Sequence, residues 1–154
     1  MGELKNTDYT IDNDNKTVTY HHNSTTALNM DYYIAVDLVI PSKVKIEDEE
    51  YTVIIGNNAF YGCDLLSGSL TMPNNENTIG ESAFSKCFKI THGTLIIPSK
   101  VTGIKDSAFS ECDLLDGADL TRFKGEIGKN VFGMCGNLKY ENVLLPPHST
   151  SNGY

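Results

Sequence analysis

Residues 79–87 read IGESAFSKC, and the same nine-residue pattern occurs three more times in the chain. The other copies are IGNNAFYGC at 55–63, IKDSAFSEC at 104–112 and IGKNVFGMC at 127–135. The phenylalanines lie at 60, 84, 109 and 132, so successive copies are 24, 25 and 23 residues apart. Self-similarity at a period of this length indicates a repeat architecture, in which stacked units share one continuous core.

A short β-like run follows each motif, and one further run precedes the first motif. In a strand the first and third residues face one side and the second faces the other, so we expect the second residues to point outward. Most runs end in proline, which has no amide to donate and is expected to close the strand. The runs are LVIP at 38–41, LTMP at 70–73, LIIP at 95–98, LTRF at 120–123 and VLLP at 143–146.

The third run places Arg122 at an inward position beside Leu120. An unpaired guanidinium buried in a core would cost several kcal/mol. We therefore expect the strand to fray or bulge at this point, so that the Arg122 side chain reaches water.

Each motif predicts a one-turn helix. Good N-cap residues stand before the Ala-Phe or Val-Phe pair, and the Phe and Cys that follow are three residues apart, which places them on one buried face. The glycine after the first isoleucine is expected where a turn needs a backbone free of Cβ. The predicted caps are Asn58, Ser82, Ser107 and Asn130, and the glycines are Gly56, Gly80 and Gly128.

The stacked units predict a mostly β, α/β-class solenoid, a right-handed superhelix with short parallel strands and one-turn helices. Residues 1–37 are expected to form a β-rich N-terminal cap, because alternating runs at 9–12 and 16–20 flank the turn residues Asn13, Asp14 and Asn15. About four repeats would fill residues 38–147, and the polar residues 148–154 would form a flexible tail.

The L-x-I-P runs and the I-G-x-x-A-F-x-x-C motifs resemble the BspA-like class of leucine-rich repeats over residues 38–146. Lys105 and the Arg122-Phe123 pair depart from the pattern. The resemblance implies secreted or surface-displayed proteins of host-associated microbes that act in adhesion and bind host matrix proteins. It implies no catalytic residues, and we expect neither an enzyme nor a cofactor.

Composition restricts the possible partners. The 154 residues carry a formal charge of −8, which argues against nucleic acid, because phosphate backbones need clustered cations. No stretch approaches the roughly 18–20 apolar residues of a membrane span. The polar residues 1–6 lack the apolar region of a signal peptide, so a secreted or surface location is expected from the resemblance alone.

Two clusters of polar residues invite a metal site, and neither predicts one. His21 and His22 are adjacent, and neighbouring strand residues point to opposite faces. Residues 12–16 read DNDNK, which lacks the glycine and the distant glutamate of a calcium loop and is read as a turn. We therefore expect no bound metal.

The four cysteines, one in each motif, are expected to be free and buried. Stacked copies would place their side chains in parallel rather than facing each other, and each sulfur would pack beside a phenylalanine. A linear row also cannot supply the tetrahedral thiolates of a zinc site. They are Cys63, Cys87, Cys112 and Cys135.

The candidate site is the outward face of the strand runs. Stacking would line up the second residues of the runs as a ladder, and an apolar stripe with polar neighbours indicates a protein contact. Cover by loops or by the N-terminal cap is the alternative. The predicted ladder is Val39, Thr71, Ile96, Thr121 and Leu144, flanked by Ser69, Thr94, Asp119 and Asn142.

The expected partner is a protein, and a host extracellular protein is one possibility. The chain itself is expected to be monomeric or to self-associate weakly through open solenoid ends. The competing interpretation is a structural spacer from a longer array with no ligand of its own.

Overall fold

The computed structural model describes residues 9–21, 38–63, 68–90 and 94–147. His22, the predicted tail at 148–154 and much of the predicted cap lie outside these ranges. The regular secondary structure of the described residues is almost all β, joined by tight turns, with one short 3-10 helix at Tyr140–Asn142. The strands are β1 Tyr9–Asp12, β2 Thr17–Tyr20, β3 Leu38–Val39, β4 Lys43–Ile46, β5 Glu49–Ile55, β6 Leu70–Thr71, β7 Thr78–Ile79, β8 Thr94–Ile96, β9 Gly103–Ile104, β10 Gly117–Asp119, β11 Glu126–Ile127 and β12 Val143–Leu144.

Most equivalent strands of successive repeats pair in parallel, as the sequence predicts, although β6 and β8 belong to separate sheets. One sheet has the order β8-β10-β12, and a second has the order β7-β9-β11. In the same way, β3 pairs with β6 in a two-stranded sheet. Because every rung of these sheets comes from a different repeat, like residues of successive repeats lie beside each other.

The predicted N-terminal hairpin is present. Strands β1 and β2 are antiparallel, and Asp12 accepts hydrogen bonds of 3.0 Å from the amides of Asp14 and Asn15 at the turn. The hydrogen bonds from Asn15 are the main reason why the pKa of Asp12 lies below its ordinary value. Strand β2 then pairs in parallel with β5, so the hairpin joins the first repeat. The ring of Tyr20 lies edge-on to Phe60, with 6.4 Å between the centroids.

The four motif phenylalanines form a single stack, which we call the phenylalanine column (Phe60, Phe84, Phe109 and Phe132). Neighbouring ring centroids are 5.0, 5.2 and 5.7 Å apart, and the interplanar angles are 6°, 1° and 16°. All four side chains are buried, and Phe84 is completely so. Isoleucines and leucines in and next to the two three-stranded sheets belong to the same core cluster as the column, including Ile79, Ile97 and Ile104. The repeats therefore stack in register, as the sequence predicts.

The predicted one-turn helices are not confirmed, and the N-cap interpretation is wrong. In the second motif the amides of residues 83, 85 and 87 donate to carbonyls three residues earlier, at 3.2–3.3 Å. The amides of Ser82, Phe84 and Lys86 instead donate to the next repeat, at 3.0, 2.7 and 2.9 Å. The turn backbone thus alternates between bonds within a repeat and bonds between repeats, which a helix cannot do.

The residues predicted as caps adopt the left-handed conformation. Their φ angles are +56° at Asn58, +52° at Ser82, +57° at Ser107 and +51° at Asn130. Asparagine and serine cap helices, but asparagine also tolerates positive φ better than most residues. The backbone conformation of the turn, rather than side-chain capping of a helix, is therefore what the four residues share.

Replacing Ser82 by glycine is expected to stabilise the protein by about 0.5 kcal/mol. The left-handed conformation costs an L-residue roughly 1–2 kcal/mol and costs glycine almost nothing. Part of this gain is lost, because glycine gives the unfolded chain more conformational entropy. Chemical denaturation measures the change. Ser99→Gly is the matched control, since Ser99 is an exposed turn residue without positive φ, and a loss is expected there. A loss at Ser82 as large as at Ser99 would restore the capping interpretation.

Candidate protein-binding face

The outward residues of the parallel strands are aligned within two sheets, β3-β6 and β8-β10-β12, and all of them except the half-buried Asp119 are exposed. Val39 faces Thr71 across β3 and β6, and Ile96, Asp119 and Leu144 are in register across β8, β10 and β12. We call these five residues the outer row. Val39, Ile96 and Leu144 expose 62%, 61% and 47% of their surface, so none of the described loops and no described residue of the N-terminal hairpin covers them.

The register of the third repeat differs from the sequence-based expectation. Strand β10 is Gly117–Asp119, and Asp119 rather than Thr121 occupies the outer row. Thr121 lies in the turn after β10, and its amide and hydroxyl both donate to Asp119. The inward residue Ala118 comes six positions after Cys112, whereas Leu95 comes eight positions after Cys87. The segment between the motif cysteine and the inward strand residue is therefore two residues shorter after the third motif than after the second.

This shift also explains why the Arg122 side chain is not buried. It is exposed in the turn, as expected from the cost of burying a guanidinium. The reason is that the strand ends before Arg122 rather than fraying at it. Leu120 and Phe123 are buried, and they fill the core positions on either side of this turn.

Asp119 brings a charge into an otherwise uncharged row. Its Oδ1 accepts the Thr121 hydroxyl at 2.6 Å and the Thr121 amide at 2.9 Å. These two hydrogen bonds, of which the one from the hydroxyl has the larger effect, hold the pKa of Asp119 below its ordinary value. The carboxylate is therefore ionised at neutral pH. Of the predicted flanking residues, Thr94 lies beside Gly117 and is exposed, and Ser69 is exposed next to β6. The face is therefore an aliphatic surface with one carboxylate near its centre.

The four cysteines are free, as predicted, and three of them are buried. The thiols of Cys87, Cys112 and Cys135 each donate to the carbonyl of the phenylalanine in the preceding motif, at 3.1, 3.2 and 3.1 Å. Contact with the Cys63 thiol and burial raise the pKa of Cys87 well above its ordinary value. Contact with Cys135 and burial likewise raise the pKa of Cys112. The thiols therefore serve packing and hydrogen bonding between repeats.

A thiol-specific reagent is expected to label the four cysteines unequally. In the folded protein Cys135, which is half-buried, should react first, and Cys63, Cys87 and Cys112 should be strongly protected. In denaturant without reductant all four should react. Quantitative titration with mass mapping of the labelled peptides measures both. Two or no reactive thiols in the denatured, unreduced protein would show disulfides and contradict the arrangement.

Among the described residues, no group of three or more His, Cys, Asp or Glu side chains is placed to hold a metal ion. The same residues contain no helix of the length and apolarity that crossing a bilayer requires. His21 hydrogen-bonds to the Thr10 hydroxyl at 2.8 Å.

The stacked repeats, parallel rungs and near absence of helix define a leucine-rich-repeat type of protein. The profile of the family described as "BspA type Leucine rich repeat region" matches residues 40–151 with six copies, and the chain belongs to this family. Leucine-rich repeats generally mediate protein–protein interactions and generally lack enzymatic activity. The class of molecule is therefore a protein-interaction module.

Two solved structures share this fold. A leucine-rich repeat protein from Bacteroides capillosus has a TM-score of 0.65 and 24% identity, over 94% of this chain and 98% of that one. A leucine-rich repeat protein from Bacteroides ovatus has a TM-score of 0.62 and 26% identity, over 90% of this chain and 39% of that one. Comparison with curated protein sequences finds no match.

Proposed function

We propose that the chain is a non-catalytic adhesion or host-interaction module, secreted or displayed on a microbial surface, that binds its protein partner through the outer row. The observation that carries the proposal is the exposure of Val39 and Ile96, which leave about three-fifths of their surface in water. Covering an exposed aliphatic side chain with a partner is favourable, at about 25 cal/mol per Å² of apolar surface removed from water. A row of such side chains on a rigid sheet is suited to contact with a protein.

The same proposal includes the path of the chain. The repeats would follow a right-handed solenoid over residues 38–147, and residues 1–37 would cap its N-terminal end. The packing of Tyr20 on Phe60, the first ring of the column, supports the cap. A hydrogen bond of 2.8 Å from the Tyr51 hydroxyl to Asn13 joins the hairpin turn to β5 and also supports it. Family membership supports a location outside the cell.

The double variant Ile96→Lys/Leu144→Glu is expected to lose at least tenfold in affinity for the partner and to keep its melting temperature. Both side chains are exposed, so charging them removes contact surface without disturbing the core. The measurement is saturation binding of the full chain to a panel of purified extracellular-matrix proteins. The control variant Thr78→Lys/Thr102→Glu makes the same charge change at two exposed positions, one in β7 and one just before β9. It should bind like the original protein. Equal binding by the two double variants would exclude the outer row as the binding face.

A spacer within a longer repeat array is the second candidate, and the last turn favours it. The turn amides of the third motif donate to residues 129, 131 and 133, at 2.7–2.9 Å. The equivalent amides of the last motif, at Asn130, Phe132 and Met134, have no hydrogen-bond partner within the described ranges. Met134 is 80% exposed at this end. For a spacer, the outer-row variant should change no binding property.

A further inference from the structure

The outer row has a spacing that distinguishes between possible partners. Ile96, Asp119 and Leu144 occupy three adjacent rungs of one hydrogen-bonded sheet. Neighbouring rungs lie about 4.8 Å apart, so Ile96 and Leu144 are about 9.6 Å apart with Asp119 midway. A partner that contacts all three must repeat its contact residues at this interval along the stack.

An α-helix lying along the stack has the required interval. Residues i, i+4 and i+7 of a helix share one face, and at 1.5 Å per residue they lie at about 0, 6.0 and 10.5 Å along its axis. An extended strand presents one face every second residue, at about 6.8 and 13.6 Å. The third contact of a strand would therefore overshoot Leu144 by about 4 Å, whereas that of a helix lies within about 1 Å of it.

Charge determines the middle contact. Both hydrogen bonds from Thr121 go to Oδ1 of Asp119, and Oδ2 has no partner among the described residues. The exposed Arg122 also lowers the pKa of Asp119, but less than the Thr121 hydrogen bonds do. The whole chain carries a formal charge of −8, which favours a cationic partner and disfavours a second copy of the chain.

We infer that the partner contributes an amphipathic α-helix that lies across β8, β10 and β12, with aliphatic side chains at i and i+7 and a lysine or arginine at i+3 or i+4. The aliphatic side chains contact Ile96 and Leu144, and the cation pairs with Oδ2 of Asp119. This inference rests on the proposed function, because it names the partner of the same face.

Selection from two peptide libraries tests the inference. One library displays randomised residues on one face of a stable helix, and the other displays randomised extended segments interrupted by proline. Both are selected on the intact protein, and each binder is measured by fluorescence anisotropy against three variants. Asp119→Asn removes the charge but keeps the acceptors for Thr121, and Ile96→Ser removes the aliphatic contact. Thr102→Ser, next to the other parallel sheet, is the control.

We expect binders from the helical library with the aliphatic, cationic, aliphatic pattern. Their affinity should fall at least tenfold with Asp119→Asn and with Ile96→Ser, and it should be unchanged with Thr102→Ser. If binders that depend on Ile96 come only from the extended library, or lack the cation, the face binds but the helical inference is wrong. If no binder from either library depends on Ile96, both the inference and the proposed binding face are wrong.

Discussion

Replacing Phe84 by alanine should lower the free energy of unfolding by about 3–5 kcal/mol, which is the usual cost of emptying a buried phenylalanine site. Phe84 has no exposed surface, and its ring is stacked between two neighbours at 5.0 and 5.2 Å. Rings above and below hold the gap open, so the site is poorly able to collapse. For a protein of this size, each kcal/mol corresponds to roughly 2–4 °C in melting temperature. Denaturant titration and calorimetry measure both quantities.

Phe88→Ala is the matched control for this prediction. Phe88 follows the same motif, but it is half-buried and lies outside the column. The control should cost clearly less than Phe84→Ala. A Phe84/Phe109 double-mutant cycle should also show coupling of about 0.5–1.5 kcal/mol, as expected for stacked aromatic rings. Equal losses in Phe84→Ala and Phe88→Ala, without coupling, would show that the column does not form the centre of the core.

The second large effect is expected at Gly80, where alanine should cost about 3 kcal/mol. A Cβ built on Gly80 would lie 2.4 Å from the carbonyl carbon and oxygen of Gly56 in the preceding repeat. These are backbone atoms held by a hydrogen bond of 3.0 Å from the Gly80 amide to the carbonyl of Ile55. The two repeats would have to separate, so the cost should reach the upper end of the range for overpacking.

Gly136→Ala serves as the control for Gly80→Ala. The nearest atom to a Cβ at Gly136 is a carboxylate oxygen of Asp113 at 3.9 Å, so alanine fits there without strain. Its effect should stay within about 0.5 kcal/mol. Measured by the same denaturation experiment, a Gly80→Ala variant as stable as Gly136→Ala would show that the repeats do not approach as closely as the structure has them.

Much of the fold could be predicted because the informative residues recur at nearly equal steps of 23–25 residues. A phenylalanine and a cysteine at the same place in four motifs can share one core only if the motifs stack in register. The glycine prediction was right in substance, since a Cβ at Gly56, Gly80 or Gly128 would lie 2.4–2.5 Å from backbone atoms. These atoms belong to Tyr20 in β2 for Gly56 and to the preceding repeat for Gly80 and Gly128. The free thiols followed from the same stacking.

Two features could not be predicted, for different physical reasons. Asparagine favours both helix N-caps and left-handed turns, so residue type alone left the turn conformation undecided at Asn58, and serine favours N-caps, so it pointed to the wrong conformation at Ser82. The strand at Gly117–Asp119 was missed because Gly-Ala-Asp has low β propensity, whereas the nearby Leu120-Thr121 looks like a strand. Pairing with β8 and β12 overrides that local preference, and the implausible inward position of Arg122 was the available signal.

The phenylalanine column can be tested most directly by aromatic NOE spectroscopy of protein with protonated phenylalanine rings in a deuterated background. The account predicts ring-to-ring NOEs for the pairs 60–84, 84–109 and 109–132, whose centroids lie 5.0–5.7 Å apart. It predicts none for the pair 60–132, which lie at opposite ends of the stack. Absence of the three neighbour NOEs in the folded protein would contradict stacking in register, and with it the outer row and the function proposed for it.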